Sequence, residues 1–408
     1  MTGDSLIIGF VPLLDCAALV AAAEQGFAAA ESLDLTLVRE TSWANIRDRV
    51  IVGHFDAAHM LGPMTVASTL GIGHLTVPMI APIALGLGGN AITVSNNLWN
   101  NMQRHGAQLD TGPDVQGRAL NQVVMERAAL GVPPLTFAMV YPFSCHNYEL
   151  RYWLSACGID PDHDVRLVVI PPPFLADALK QGQVDGFCVG EPWNSLAVEA
   201  GAGVIVTLTT ALWRLSPEKV LGCRADWAAA HPQQLARLIR ALYRAASWCD
   251  QPENHAALAR LLAEPRYIGA SLEVLQQSLA GRIRFAPNTQ RIAVADHMIF
   301  SRHLATFPWA SHALWFYSQM VRWGQCAPSQ HNADAARAAY RPDLYRAALQ
   351  QLRVELPMTD FKAEHSTASR DTGTQNAFAA EGFFDGRTFD PADLANYLAS
   401  FPAPKHNR

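Results

Sequence analysis

One alternation limits this chain more than any other feature. Through the first half, short apolar runs with strand spacing are separated by stretches of helical spacing. "LIIGFVP" (6–12) precedes a helix to about residue 30, and "LDLTLVRE" (33–40) follows. "FDAAHML" (55–61) leads through a short helix to "TVPMIAP" (76–82), and "AITVSN" (91–96) enters a polar helical region. "LTFAMVYP" (135–142) precedes a helix over 146–157, and "VRLVVIPP" (165–172) precedes another in "PFLADALKQG". "VDGFCVG" (184–190) and "GVIVTL" (203–208) complete the series. Strand–helix–strand alternation implies largely parallel sheets with helices on both faces. From about 224 to 355 the pattern turns almost wholly helical, with Asp226 and Pro232 marking helix starts and Gly281 and Gly324 helix ends. The tail "AEHSTASRDTGTQN" after residue 362 reads as a loop. "FFDGRTFDPADLANYLASF" returns to order, with its Phe pair expected to dock on the body.

The 408 residues suffice for two domains or one large two-lobed body. Half are hydrophobic and 16% charged, ample for a core and unlike a disordered chain. A formal net charge of −5, with no basic run, does not indicate a nucleic-acid groove. The seven cysteines are odd in number, widely spaced and without CxxC, which argues against a disulfide framework or a structural zinc site. Buried free thiols in a reducing compartment are the expectation. The N-terminal "MTGDSLIIGFVPLLDCAALV" has no basic region before its apolar stretch, so it reads as a first strand and helix rather than a signal peptide. No apolar run is long enough for a transmembrane helix.

Open α/β sheets hold ligands beyond the carboxyl ends of their strands, so the residues after each run matter most. After "LDLTLVRE", Thr41 or Ser42 can cap a helix that places Trp43 in its first turn, as an indole donor or as core. In "LGLGGN" (85–90), Gly88 and Gly89 permit close backbone approach or simply turn the chain, and Asn90 offers an amide; no phosphate-loop pattern is present. His146 falls at a helix start that favours an anion, or serves as a cap or core residue. Cys145 and His146 point about 100° apart on a helix, a poor nucleophile–base pair. Gly190, after "VDGFCV", lets a backbone N–H face a ligand. Glu191 has no second carboxylate beside it in sequence, and Lys219 is a flexible point charge or a surface lysine. Together these groups are mainly donors, suited to a small anion. No catalytic or metal motif accompanies them, and no cofactor is expected.

"SWANIRD", "FDAAHMLGPM", "YPFSCHNYELRYWLSACGIDPDHDVRLVVIPPP", "VDGFCVGEPWN", "SPEKVLGCRADW" and "FFDGRTFDP" together resemble the nitrate/bicarbonate-binding proteins of ABC importers, from residue 6 to about 392. The resemblance implies an α/β two-lobed periplasmic-binding-protein-like fold (type II) with two crossovers, extra C-terminal helices and the ligand in the interlobe cleft. One lobe is then about 1–93 plus 210–408, and the other about 94–209. The family's nitrate contacts fall on Trp43, Asn90, His146, Gly190 and Lys219, with Asn90 one methylene shorter than the family's glutamine. Family bicarbonate binders place an acid where Lys219 stands and recruit a metal, so the lysine implies a bare nitrate or nitrite ion.

The apparent absence of a leader makes the chain resemble the cytoplasmic nitrate/nitrite sensor of that family most. Such a sensor sequesters an RNA-binding antiterminator of the ANTAR type until nitrate releases it, without touching nucleic acid or membrane itself. The alternative expectation is the periplasmic substrate-binding subunit of a nitrate ABC importer. An enzyme on the same fold would need a cofactor-phosphate cradle, and the sequence shows none.

Overall fold

The computed structural model describes residues 3–73, 76–109, 111–362 and 382–402. Eleven strands carry the architecture: β1 (Asp4–Phe10), β2 (Leu33–Arg39), β3 (Ala57–Leu61), β4 (Met79–Ala84), the short β5 (Leu87–Gly88), β6 (Asn90–Ser95), β7 (Leu135–Met139), β8 (Val165–Val169), β9 (Gly186–Gly190), β10 (Gly203–Leu208) and β11 (Lys219–Arg224). Ten of them form two five-stranded sheets, ordered β2-β1-β3-β11-β4 and β10-β6-β9-β7-β8. Read from its other edge, the second is β8-β7-β9-β6-β10, so both sheets follow one plan. Within each, the strands run parallel except β11 in the first and β6 in the second. This is the α/β periplasmic-binding-protein-like fold that the family resemblance implies.

The antiparallel strand of each sheet has a simple origin. A parallel neighbour needs a helical crossover within its own lobe. β6 and β11 arrive instead directly from the other sheet, so neither needs one. The chain leaves the first sheet after β4 and re-enters as β6; it returns after β10 as β11. The two crossing segments lie side by side: Leu87 bridges Pro217, the Gly88 N–H donates to the Ser216 carbonyl at 2.9 Å, and the Leu85 N–H to that of Lys219 at 2.8 Å. Asn90 and Lys219, the first residues of the two crossing strands, are thereby brought together between the lobes.

The central strands β3 and β9 are buried along their whole length, which fits their nearly continuous apolar sequence in a doubly covered sheet. Strand ends agree with the sequence pattern within about three residues, the usual latitude of such boundaries. The second half is mostly helical as expected, but between the helices Leu272–Leu279 and Ala310–Arg322 the chain departs from that pattern and forms the short strands Arg282–Ile283, Ile292–Ala293 and Met298–Ile299. Pro232 opens the helix Pro232–Cys249, while Asp226 sits in the first turn of Ala225–Ala230. Gly281 and Gly324 follow helices Leu272–Leu279 and Ala310–Arg322 with positive φ. The loop expected after residue 362 lies outside the described residues. The Phe pair beyond it docks: Phe383 is buried, stacks on Tyr152 at 4.9 Å between ring centroids and packs on Trp213 at 5.0 Å, and Phe384 is half-buried. All seven cysteines are free, five of them buried.

Candidate anion site between the lobes

The five residues marked by sequence are all buried, and the fold places them around one interlobe position. Ser42 caps the helix Trp43–Ile51 by accepting from the Asn45 N–H, which sets Trp43 at its first position. Ser144 caps Cys145–Ala156 by accepting from the Asn147 N–H and sets His146 in its first turn. Gly190 ends β9 opposite Asn90 in the β6 register. A Cβ on Gly190 would stand 3.0 Å from Leu13 Cδ2, 3.2 Å from Asn90 Oδ1 and 3.6 Å from Asp15 Oδ2, so a side chain here would crowd its neighbours and push them by a few tenths of an ångström. Gly88 and Gly89 have positive φ, and added Cβ atoms would strike the His297 carbonyl and Met298 sulfur. Packing accounts for these two.

Lys219 is fully buried and lies 5.5 Å above the Trp43 ring, a cation–π approach. The Trp43 Nε1, both His146 ring nitrogens and the Asn90 Oδ1 are buried without a hydrogen-bond partner among the described residues. Buried polar atoms are normally paired, because leaving one unpaired costs about 1–3 kcal/mol. Several such atoms grouped beside a lysine mark a place built for a polar guest.

Four further residues reach the site. Asp15, in the turn after β1, lies 2.7 Å from Lys219 Nζ; its other oxygen lies 2.9 Å from His59 Nε2. Glu218 pairs with Lys219 and sits 3.7 Å from His146 Nε2. The Asn90 amide donates to both Glu149 Oε2 at 2.9 Å and Glu218 Oε1 at 3.0 Å. The site is therefore richer in acceptors than the sequence pattern of mostly donors conveys. Each addition has a faint signal: Asp15 follows the first strand-like run, His59 lies on β3, Glu149 shares a helix face with His146 at i+3, and Glu218 neighbours Lys219.

Charge follows from this geometry. Burial opposes the Asp15 carboxylate, but Lys219 and His59 outweigh it and hold Asp15 well below the usual carboxylate range. Burial likewise opposes the Lys219 charge, but Asp15 and Glu218 prevail and raise its pKa. Burial, reinforced by Glu218, pushes Glu149 up to about 8. Burial also raises Glu218, against the pull of Lys219. It drives His146 well below the ordinary histidine value, with Lys219 adding to the effect, so the imidazole is neutral near pH 7. The Cys145 thiol is raised well above its ordinary value by burial and then by Glu218, so no thiolate forms beside His146. Elsewhere in the cleft region, Glu191 is buried, accepts from Ser278 Oγ at 3.2 Å and lies 3.9 Å from His297. Among the described residues, no three His, Cys, Asp or Glu side chains are grouped to hold a metal ion.

The NMT1-like family model matches residues 3–263. The chain belongs to the NMT1-like family. The nitrate/nitrite binding protein NrtA of Synechococcus elongatus is 33% identical over 399 residues, which cover 96% of this chain and 84% of NrtA. The nitrate import ATP-binding protein NrtC of Synechocystis is 32% identical over 97% of this chain, which spans only 55% of that relative. The crystal structure of the periplasmic nitrate-binding protein NrtA from Synechocystis PCC 6803 superimposes with a TM-score of 0.87 at 29% identity, covering 98% of this chain and 99% of that one. This family member is thus similar, over nearly its whole length, to substrate-binding proteins. No described helix is long and apolar enough to cross a membrane.

Proposed function

We propose that this protein binds nitrate or nitrite between two lobes, 1–93 with 210–408 and 94–209, and acts as the substrate-binding subunit of an ABC importer without chemistry on its ligand. The observation that carries the reading is the set of unpartnered donors, Trp43 Nε1 and a His146 ring N–H, gathered beside the buried Lys219 ammonium. Nitrate is planar, singly charged and has three acceptor oxygens. Trp43, His146, the Gly190 backbone and Lys219 would donate to it, and Asn90, whose amide nitrogen is engaged by Glu149 and Glu218, would line the wall beside it. Charge-assisted contacts of about 1.5–3 kcal/mol each would together supply the roughly 8 kcal/mol of micromolar binding. The similarity to NrtA supports both ligand and role.

The cytoplasmic-sensor reading uses the same pocket and adds an ANTAR-type antiterminator as partner. The named relatives are binding and import proteins, so the importer reading stands first. A complex with such an antiterminator that nitrate dissolves would reverse that order. The primary test is calorimetry with nitrate, nitrite and bicarbonate, each with and without calcium. Nitrate or nitrite is expected to bind one per chain without calcium. Binding of bicarbonate alone, and only with calcium, would overturn the reading.

A further inference from the structure

The site carries more negative charge than a receptor for anions would be expected to keep. Asp15, Glu149 and Glu218 are all buried there, and Lys219 is the ammonium that meets Asp15 and Glu218. Glu149 and Glu218 share the single Asn90 amide nitrogen, at 2.9 and 3.0 Å. Two carboxylates so close, away from water, cannot both stay ionised without strong repulsion.

The groups facing Glu149 offer little relief. Glu218 and Lys219 stand at the junction with β11, and Asn90 at the start of β6; Ser216 lies beside Glu149. Cys188 on β9 and Cys145 on the same helix as Glu149 are thiols held protonated by burial. His146 and His59 are pushed below their ordinary values by burial and add no fixed charge near pH 7. Tyr340 lies beyond Glu218 with its phenol held protonated. With three ionised carboxylates and one ammonium, the site would stand at −3 + 1 = −2 before any anion arrived.

We propose that Glu149 and Glu218 hold one proton between them, and that the bound anion fixes that proton in place, so that anion and proton are taken up together. This rests on the anion-binding reading above and names how that site is regulated. The proton keeps the liganded site from accumulating charge, and the same logic disfavours divalent anions, which would need a second proton. Glu149 is pushed up to about 8 by burial and by Glu218, so the proton is exchangeable just above neutrality. Lys219 keeps its charge across that range, because Asp15 and Glu218 raise its pKa.

The test is calorimetry of nitrate binding to the whole chain at pH 8.5, in Tris and in EPPS, whose ionisation enthalpies differ. Uptake of about three-quarters of a proton per nitrate is expected from a group titrating near pH 8. Affinity is expected to fall about tenfold from pH 8.5 to 9.5. Glu149→Gln, which cannot release a proton, should flatten that fall. Nitrate binding with no buffer-dependent heat in the wild-type protein would overturn the inference whether or not the variant folds. A fall that persists unchanged in a folded Glu149→Gln protein would overturn it as well. Failure of nitrate, nitrite and bicarbonate to bind at any pH would instead remove the anion-binding reading, and this inference with it.

Discussion

Replacing Lys219 with methionine probes the site through both folding and binding. The ammonium is fully buried against two carboxylates, 2.7 Å from Asp15 Oδ2 and in contact with Glu218. Methionine keeps much of the side-chain length and leaves both acids uncompensated. Breaking a buried pair in this way costs about 3–5 kcal/mol. The pH dependence fixes the cause. In the native protein Asp15 has a lowered pKa, so its contribution is present above the unfolded value of about 3.9 and is lost as pH falls through the lower folded value. Lys219 has a raised pKa, so its contribution is present below about 10.4 and is lost as pH rises through the folded value. Without the lysine, burial dominates at Asp15 and turns its shift upward. The stability gap between variant and wild type should then be widest between about pH 7 and 9 and narrow toward pH 5, as the acids take up protons. Urea unfolding across that range reads the gap, and calorimetry reads nitrate affinity, expected to fall about 10- to 150-fold. A gap below about 1 kcal/mol, or one that ignores pH, would refute the reasoning.

Three further outcomes follow from named contacts. His146→Ala should weaken nitrate binding about five- to tenfold near pH 7, the loss of one neutral hydrogen bond. The wild-type imidazole, held well below its ordinary value by burial, stays neutral between pH 5 and 7, so the loss should be the same across that range; calorimetry between pH 5 and 7 checks both. Gly190→Ala places a Cβ 3.0 Å from Leu13 and 3.2 Å from Asn90 Oδ1, and should lower affinity at least about fivefold with the circular dichroism spectrum unchanged. Phe383→Ala removes a buried ring packed on Tyr152, Trp213 and Trp315 and should cost about 3–5 kcal/mol in denaturant unfolding.

Much of the fold is legible in the alternation of the first half, because each strand–helix unit imposes its own period on the chain. "GVIVTL" matches β10 residue for residue. The antiparallel β6 and β11 are not legible that way, because nothing in "AITVSN" or "KVLGCR" records that these strands arrive from the opposite lobe. Ser42 and Ser144 mark their helix starts by a capping chemistry local to the sequence, and Trp43 and His146 follow at once. The acids are harder to see. Asp15 and Glu149 lie 134 positions apart and are joined through Lys219, Glu218 and Asn90, contacts that exist once the two crossing segments pair. A charged residue beside a donor reads as solvated surface until burial is known. That is why the donor half of the site is visible in sequence and the acceptor half is not.

The most direct measurement is a crystal structure of the protein with nitrate bound. Density for one planar ion is expected within hydrogen-bond reach of Trp43 Nε1, His146 and Lys219 Nζ, with Asn90 and the Gly190 backbone alongside. Nitrate lodged away from these residues, or Lys219 turned out to solvent while nitrate is bound, would contradict the account.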